Sequence, residues 1–339
     1  MKVLLTGGLG FIGSHTAISL IDAGHELVIL DNLDNSSLKV LTNLESITQS
    51  KITFIQADIR DYQSMAEQLE SYTFEGVIHF AAKKSVPESL EKPILYYQHN
   101  IQGLINLIEL CEHKNIENFI FSSSCTVYGT PSDLPVNENT PIQKSATPYG
   151  NTKIWGEQIL SEYASLNPKF KLVLLRYFNP VGAHPSSLIG ELPHGIPANL
   201  MPYITQTAAG IRGELKVYGN DYNTKDGTAI RDFIHVADLA DAHLKSLEWL
   251  IEKEDDKPNT EIFNVGTGNG FTILEVIKSF EKVSAKSLKW SFAPRREGDI
   301  EQIWADTNKV NSVLKWKPKY TLDDMTSSAW LWQLQLENN

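Results

Sequence analysis

Gly7, Gly10 and Gly13 stand at G-x-x-G-x-x-G spacing between the apolar run Val3 to Thr6 and an amphipathic stretch, Gly13 to Ala23. Residues without a Cβ allow a tight turn there and let backbone N–H groups approach a pyrophosphate at the N-terminus of a helix. A strand–turn–helix start of this kind restricts the chain to folds built from βαβ units. The following sequence supplies the remaining units. LVIL (Leu27 to Leu30), ITFI (Ile52 to Ile55), GVIHF (Gly76 to Phe80), NFIFS (Asn118 to Ser122) and LVLLR (Leu172 to Arg176) are short, continuous and rich in branched apolar residues. Strands buried on both faces of a parallel sheet read this way. Stretches with helical spacing, such as Asn100 to His113, separate them, so the expected fold is α/β, a Rossmann-type doubly wound parallel sheet.

The alternation breaks down after Asn179, where Pro180, Gly182, Pro185, Gly190, Pro193, Gly195 and Pro197 crowd together. Residues 1–179 are therefore read as a dinucleotide-binding domain. Residues 180–339 are read as a smaller, mixed α/β substrate domain over its mouth, with some segments crossing back to the first. The acidic run 252–256, ahead of Pro258, reads as a solvated loop. A net charge of −11 argues against a nucleic-acid partner, which would need clustered Lys and Arg. It leaves room for a small phosphorylated ligand held by a few placed arginines. No apolar run approaches the roughly 20 residues of a membrane helix, and MKVLLTGGLG runs into glycines instead of a signal-peptide core. Cys111 and Cys125 form neither a disulfide framework nor a zinc pattern. Such usage suits a reducing compartment, so a cytoplasmic protein without a metal site is expected.

Two acids refine the ligand. Asp31 ends the second strand, 18 residues past Gly13, where a carboxylate accepts bonds from an adenosine ribose. An acid there repels a 2′-phosphate and no Arg follows closely, which favours NAD over NADP. Asp58, ending the third strand in QADIR, is placed to meet the adenine.

Tyr149 and Lys153 make Y-x-x-x-K in PYGNTKIWGEQIL, with Pro148 marking a helix start. Positions four apart share a helix face, so phenol and ammonium can look into one cavity. A phenol with a pKa near 10 is a poor base at neutral pH. Two unit charges about 4 Å apart interact by roughly 4 kcal/mol at an effective dielectric near 20, or about three pK units. One lysine, helped by a cationic nicotinamide, thus suffices in principle to bring a tyrosine near 7. Ser122, Ser123 and Ser124 close the fifth strand, at the sheet edge where ligands of such folds bind, and Ser124 is the candidate for bonding a reacting oxygen.

These features together resemble the extended short-chain dehydrogenase/reductase family, and within it the enzymes that invert carbon 4 of UDP-hexoses. The resemblance runs close to full length through TGGLGFIGSH from Thr6, FSSSCTVYG from Phe121, RYFNPVGAHPS from Arg176, RDFIHVADLADAH from Arg231 and FAPRREGD from Phe292. It implies NAD-dependent interconversion of UDP-glucose and UDP-galactose. The C4 hydride is removed, the 4-keto sugar rotates, and the hydride returns to the other face. Tyr149 would be the base, Lys153 its electrostatic partner and Ser124 the holder of the sugar 4-oxygen. Gly7, Gly10, Phe11, Ile12, Gly13, Asp31, Asn32, Asn35, Ser36, Asp58, Ile59, Phe80, Ala81, Lys84, Ser122, Tyr177 and Phe178 would match cofactor-contact positions. Asn179, Asn199, Leu200, Tyr218, Arg231, Arg296, Asp299 and Ile303 would match positions around the UDP-hexose. Paired guanidinium donors suit a diphosphate, but the residues alone do not tell Arg296 from Arg295. A homodimer through the helices near Asn100 to His113 is implied as well.

Two positions depart from the family pattern. His99 stands where related bacterial enzymes carry an Asn near the cofactor, and no catalytic role is assigned to it. Ile303 occupies the position that gates the space beside the sugar's C2 substituent. A large aromatic there restricts family members to glucose and galactose, and a small residue admits N-acetylated sugars. Isoleucine is intermediate, which leaves the N-acetyl pair open. A nucleotide-sugar 4,6-dehydratase would need an Asp–Glu pair where this chain has Cys125 and Thr126. A uronate epimerase or decarboxylase would share the fold and the Tyr–Lys pair. A non-catalytic NAD-binding sensor would share the fold without requiring the catalytic set.

Overall fold

The computed structural model describes residues 1–193, 195–253, 259–296 and 298–337; residues 254–256 of the acidic run read as a loop lie outside the described residues. Six strands follow the expected runs: β1 (Lys2–Thr6), β2 (Glu26–Asp31), β3 (Thr53–Gln56), β4 (Gly76–His79), β5 (Asn118–Ser124) and β6 (Lys171–Tyr177). Seven further strands come from the second half: β7 (Asn179–Val181), β8 (Leu215–Tyr218), β9 (Ile230–His235), β10 (Thr260–Val265), β11 (Gly270–Thr272), β12 (Trp290–Ala293) and β13 (Gln302–Ile303). Among the described residues the main sheet is wholly parallel, in the order β10-β6-β5-β4-β1-β2-β3. The chain winds one way through β2 and β3, then returns to place β4 on the other side of β1. That reversal opens a crevice at the carboxyl ends of β1 and β4.

The two-residue period of the strands divides the core. Val3 and Leu5 pack to one face with the helices Phe11–Asp22 and Val236–Glu252. Leu4 packs to the other, with Leu107, Leu110 and Leu160 of the helices Gly103–Lys114 and Pro148–Leu166. Both faces are buried, which is why these strands carry no polar alternation.

The second half supplies a small sheet, β11-β9-β13 with β7 against β9, and a parallel pair, β12-β8. It also returns to the first. The helix Val236–Glu252 lies against the main sheet, and β10 extends that sheet by pairing with β6, Asn264 opposite Arg176. Continuous sequence therefore does not map onto continuous layers beyond Asn179.

One helix governs the site. Pro148–Leu166 is started by Thr147, whose hydroxyl accepts from the Gly150 amide at 3.2 Å, with Pro148 in the first turn. Gly156 lets it lie close on β5, since a Cβ there would sit 2.8 Å from the Phe121 ring. Glu157 then ties it down. Its carboxylate receives Arg176 Nε at 2.9 Å and Nη2 at 2.6 Å, and the Ser123 hydroxyl at 2.5 Å.

Candidate active site

Gly7 adopts φ +69°, and a Cβ there would lie 2.6 Å from the Ala81 backbone nitrogen. A Cβ on Gly13 would strike the Gly7 carbonyl. Gly10 caps the helix Phe11–Asp22 without a side chain, so nothing of its own blocks the first-turn amides that begin at Phe11 and Ile12. At the next strand end the Asp31 carboxylate is buried. It accepts from the Leu9 amide at 3.1 Å, the Leu33 amide at 2.9 Å and the Ser36 hydroxyl at 2.7 Å. A glycine cradle, a bare helix start and an oriented carboxylate are the parts that grip a dinucleotide, and they fit NAD.

Other expected cofactor residues are found in different circumstances. Asp58 is already engaged: Arg60 holds both its oxygens, at 3.0 and 2.7 Å, and Asn32 donates to it at 3.0 Å. The guanidinium keeps that carboxyl well below the usual range. Asn35 is exposed in the loop after β2. The Ile59 side chain is buried, and any Cβ on Gly103 would collide with it, so it packs in the core. Phe178 is likewise turned into the core, with Val127, Tyr128 and Ile303. Any approach of these two to a cofactor is left to their backbone. Phe80 and Ala81 follow β4 at the crevice, Phe80 packed against His243 with ring centroids 4.7 Å apart. His99 lies in a π turn, Gln98–Gln102, buried among Arg60, Asp58, Lys83 and Asp34; burial and Arg60 lower its pKa. Asn100, which belongs to no motif, bonds the Lys83 backbone and the Thr152 hydroxyl (3.0 Å), fastening the loop after β4 to the helix of Tyr149.

Tyr149, Lys153 and Glu157 occupy successive turns of one helix, facing the end of β5. Lys153 Nζ donates to the Ser122 carbonyl at 2.7 Å and lies 5.0 Å from the centre of the Phe121 ring. The Ser122 hydroxyl bonds the Tyr177 phenol. Ser124 accepts from the Thr126 amide at 3.2 Å and its hydroxyl bears on the Tyr149 phenol. Burial dominates both titrations. It pushes Tyr149 up to about 12, against the pull of Ser124, and pushes Lys153 down to about 8, against Glu157. Helical spacing alone leaves out this desolvation, so a phenol near 7 does not describe the ligand-free protein. There the tyrosine is neutral and the lysine holds its proton less tightly than usual.

Across the crevice, Arg231 on β9 pairs with Asp299 at 2.5 Å and lies in register with Ile303. Arg231 also acts on Cys125, just past the end of β5, so the two halves face each other. Ile303 is buried beside Cys125 and Ile154. The structure distinguishes the neighbouring arginines: Arg295 is bound to Asp221 at 2.7 Å over the Tyr222 ring, whereas Arg296 lies 3.9 Å over Tyr218, its guanidinium bonded to no acid among the described residues. Asn179 begins β7, opposite Phe233. Leu200 opens the helix Leu200–Ala208. Asn199 sits at its N-cap without capping it, its amide donating instead to Glu191 at 2.6 Å. Lys84 reaches the same Glu191 oxygen at 3.0 Å. Sequence pattern does not single out Glu157, Arg176 or Glu191 as site residues, because a lone acid or base in an amphipathic or loop segment reads as surface.

Fold and site define an NAD-dependent enzyme of the extended short-chain dehydrogenase/reductase class. A profile described as GDP-mannose 4,6 dehydratase matches residues 4–329. The UDP-glucose 4-epimerase of Erwinia amylovora is 44% identical over 335 residues, covering 99% of this chain and 98% of its own. That of Bacillus subtilis (strain 168) is 45% identical over 333 residues, covering 98% and 97%. The crystal structure of UDP-glucose 4-epimerase from Bifidobacterium longum in complex with NAD+ and UDP superposes with a TM-score of 0.95 at 44% identity, covering 100% of this chain and 99% of that one. This chain belongs to the UDP-glucose 4-epimerase family.

The buried lysine gives a pH test. Native Lys153 releases its proton near 8, whereas the ordinary value is 10.5. Between those values the unfolded chain holds the extra proton, so native stability gains with rising pH, by at most about 1.4 kcal/mol per pH unit. Ligand-free Lys153→Met should exceed the wild type in stability at pH 7, and the gap should close between pH 8 and 10.5 in urea unfolding. A gap independent of pH would contradict the burial argument.

Proposed function

We propose that this chain interconverts UDP-glucose and UDP-galactose, with Tyr149 as the proton-transferring group. The observation that carries the proposal is the helix face holding Tyr149 and Lys153 at the end of β5, with Ser124 against the phenol. The glycine cradle would hold NAD, whose nicotinamide would supply the acceptor and donor of the C4 hydride. The protein's own contribution is to manage the proton and the sugar. Ser124 holds the 4-oxygen. The Tyr149 phenol first releases its own proton to solvent, drawn by the Lys153 ammonium and a cationic cofactor. The phenolate then takes the 4-hydroxyl proton and returns it to the 4-oxygen when the hydride comes back. Arg231, Arg296, Asn179, Asn199, Leu200, Tyr218 and Asp299 anchor the nucleotide. With binding energy concentrated there, the hexose turns over without escaping. This division assigns residues 1–179, with the returning helix and β10, to cofactor and base, and the remaining segments to the nucleotide. A non-catalytic NAD-binding sensor would not need this set.

A 4,6-dehydratase would lack its acid and base here. Cys125 is pushed up to about 12 by burial, and Thr126 carries a hydroxyl. The N-acetylated pair is the second substrate class to be tested, because Ile303, buried beside Cys125 and Ile154, is intermediate in size between the aromatic and small residues of the family. We also propose a cytoplasmic homodimer. Free thiols at Cys111 and Cys125 suit a reducing compartment. Ile94, 64% exposed, and Ile105 and Trp155, each 42% exposed, leave apolar side chains open on the helices Pro93–Tyr97, Gly103–Lys114 and Pro148–Leu166, which suits contact with a second copy. Among the described residues no helix is long and apolar enough to cross a membrane.

Tyr149→Phe should lower kcat at least about 100-fold while UDP binding persists; near-normal turnover would remove the tyrosine from its role. In coupled assays on both sugar pairs, Ile303→Tyr should depress kcat/KM for UDP-N-acetylglucosamine at least about 10-fold more than for UDP-glucose. An equal loss on both pairs would show that Ile303 does not gate the site. Ile105→Asp should move the chain from dimer to monomer in sedimentation equilibrium at micromolar concentration, and an unchanged mass would place the interface elsewhere.

A further inference from the structure

Glu191 stands where the two halves of the site meet. Its side chain is 10% exposed, and one carboxylate oxygen, Oε1, receives both Lys84 Nζ at 3.0 Å and Asn199 Nδ2 at 2.6 Å. Lys84 follows β4 on the cofactor side, while Asn199 precedes the helix Leu200–Ala208 on the nucleotide side. The main chain at Glu191 is itself held from behind. The indole of Trp332, on the C-terminal helix Leu322–Glu337, donates to the Glu191 carbonyl at 3.0 Å. Gly190 lies flat on that indole, since a Cβ there would come within 2.5 Å of the ring. Glu191 has a further local effect. With its amide donating to Glu191, Asn199 makes no side-chain cap on the first turn of Leu200–Ala208.

We infer that Glu191 is a positioning residue that couples the two ligands, orienting Lys84 toward the dinucleotide and Asn199 toward the UDP moiety through one shared oxygen. The inference rests on the function proposed above and adds to it a route between the half-sites. A ligand that orders either donor orders the carboxylate, and the second ligand then meets a site that has already lost that freedom. The ammonium of Lys84 offsets the carboxylate charge, so an acid is tolerated beside phosphates.

The test uses the full-length chain loaded with NAD. Release of NAD is followed by fluorescence with and without UDP, UDP binding is measured by calorimetry, and turnover is measured separately. In the wild type, UDP should slow NAD release. In Glu191→Ala that effect should collapse toward none, and KM for the UDP-hexose should rise about 10-fold with kcat changed less than about threefold, the loss of a charge-assisted bond. Glu191→Gln keeps an acceptor for Asn199 and the same shape. It should recover most of KM but not the UDP effect on NAD release, because the ion pair with Lys84 is gone. It also guards against misfolding of the alanine variant. A Glu191→Ala protein whose KM and UDP effect match the wild type would overturn the inference while leaving the proposed function standing. So would variants that lose kcat alone. A wild type that binds neither NAD nor UDP would remove both.

Discussion

The buried carboxylate of Glu157 is the constraint on which the catalytic geometry rests. It sits two helical turns beyond Tyr149, on the same face, and accepts from Arg176 on β6 and from Ser123 on β5. Both members of the ion pair are almost fully buried, at 3% and 4% side-chain exposure, so neither can lose its partner without leaving a desolvated charge behind. Arg176 extends the network to the Tyr128 hydroxyl, which donates to Asn264 on β10. The pair does not have to add net stability to matter. Its geometry fixes how the helix Pro148–Leu166 lies against the strand ends, and therefore where the phenol and the ammonium point.

Burial explains the ligand-free titration state. The packing that buries Tyr149 and Lys153 takes them out of water, and this penalises a phenolate and an ammonium alike. The two groups are thus biased toward their uncharged forms, up at about 12 and down at about 8. Binding is organised differently on the other side of the crevice. There, Arg231 is paired with Asp299 and the Asn199 amide is held on Glu191, which also takes Lys84 from the cofactor side. The cofactor side depends on glycine geometry and a helix start, the nucleotide side on oriented charge.

The legibility of the chain follows burial. β1 to β6 can be read because strands covered on both faces leave continuous apolar runs, and each lies within two residues of its expected bounds. β10 leaves no such mark, since TEIFNV mixes Thr, Glu and Asn among its apolar residues and pairs with a strand far upstream. Ile59 and Phe178 show the converse limit. Their positions fit cofactor contact, yet their side chains turn into the core. Asp58 is legible as an acid at a strand end, but its capture by Arg60, two residues on, is not.

By itself the sequence determined the doubly wound sheet, the glycine cradle, the acid at the end of β2 and the Tyr–Lys helix. All four are written in short-range periodicity and in residue types whose backbone or spacing demands are local. The tertiary structure alone decided which polar residues are partners: Glu157 with Arg176 and Ser123, Asn100 with Thr152, Glu191 with Lys84 and Asn199. It also decided that Arg295 is spent on Asp221 while Arg296 stays over Tyr218. The hydrogen-bonded pairs among these join residues from 8 to 107 positions apart. A hydrogen bond across such a separation leaves no periodic trace in the chain, because it depends on where whole elements pack and not on what neighbouring residues prefer.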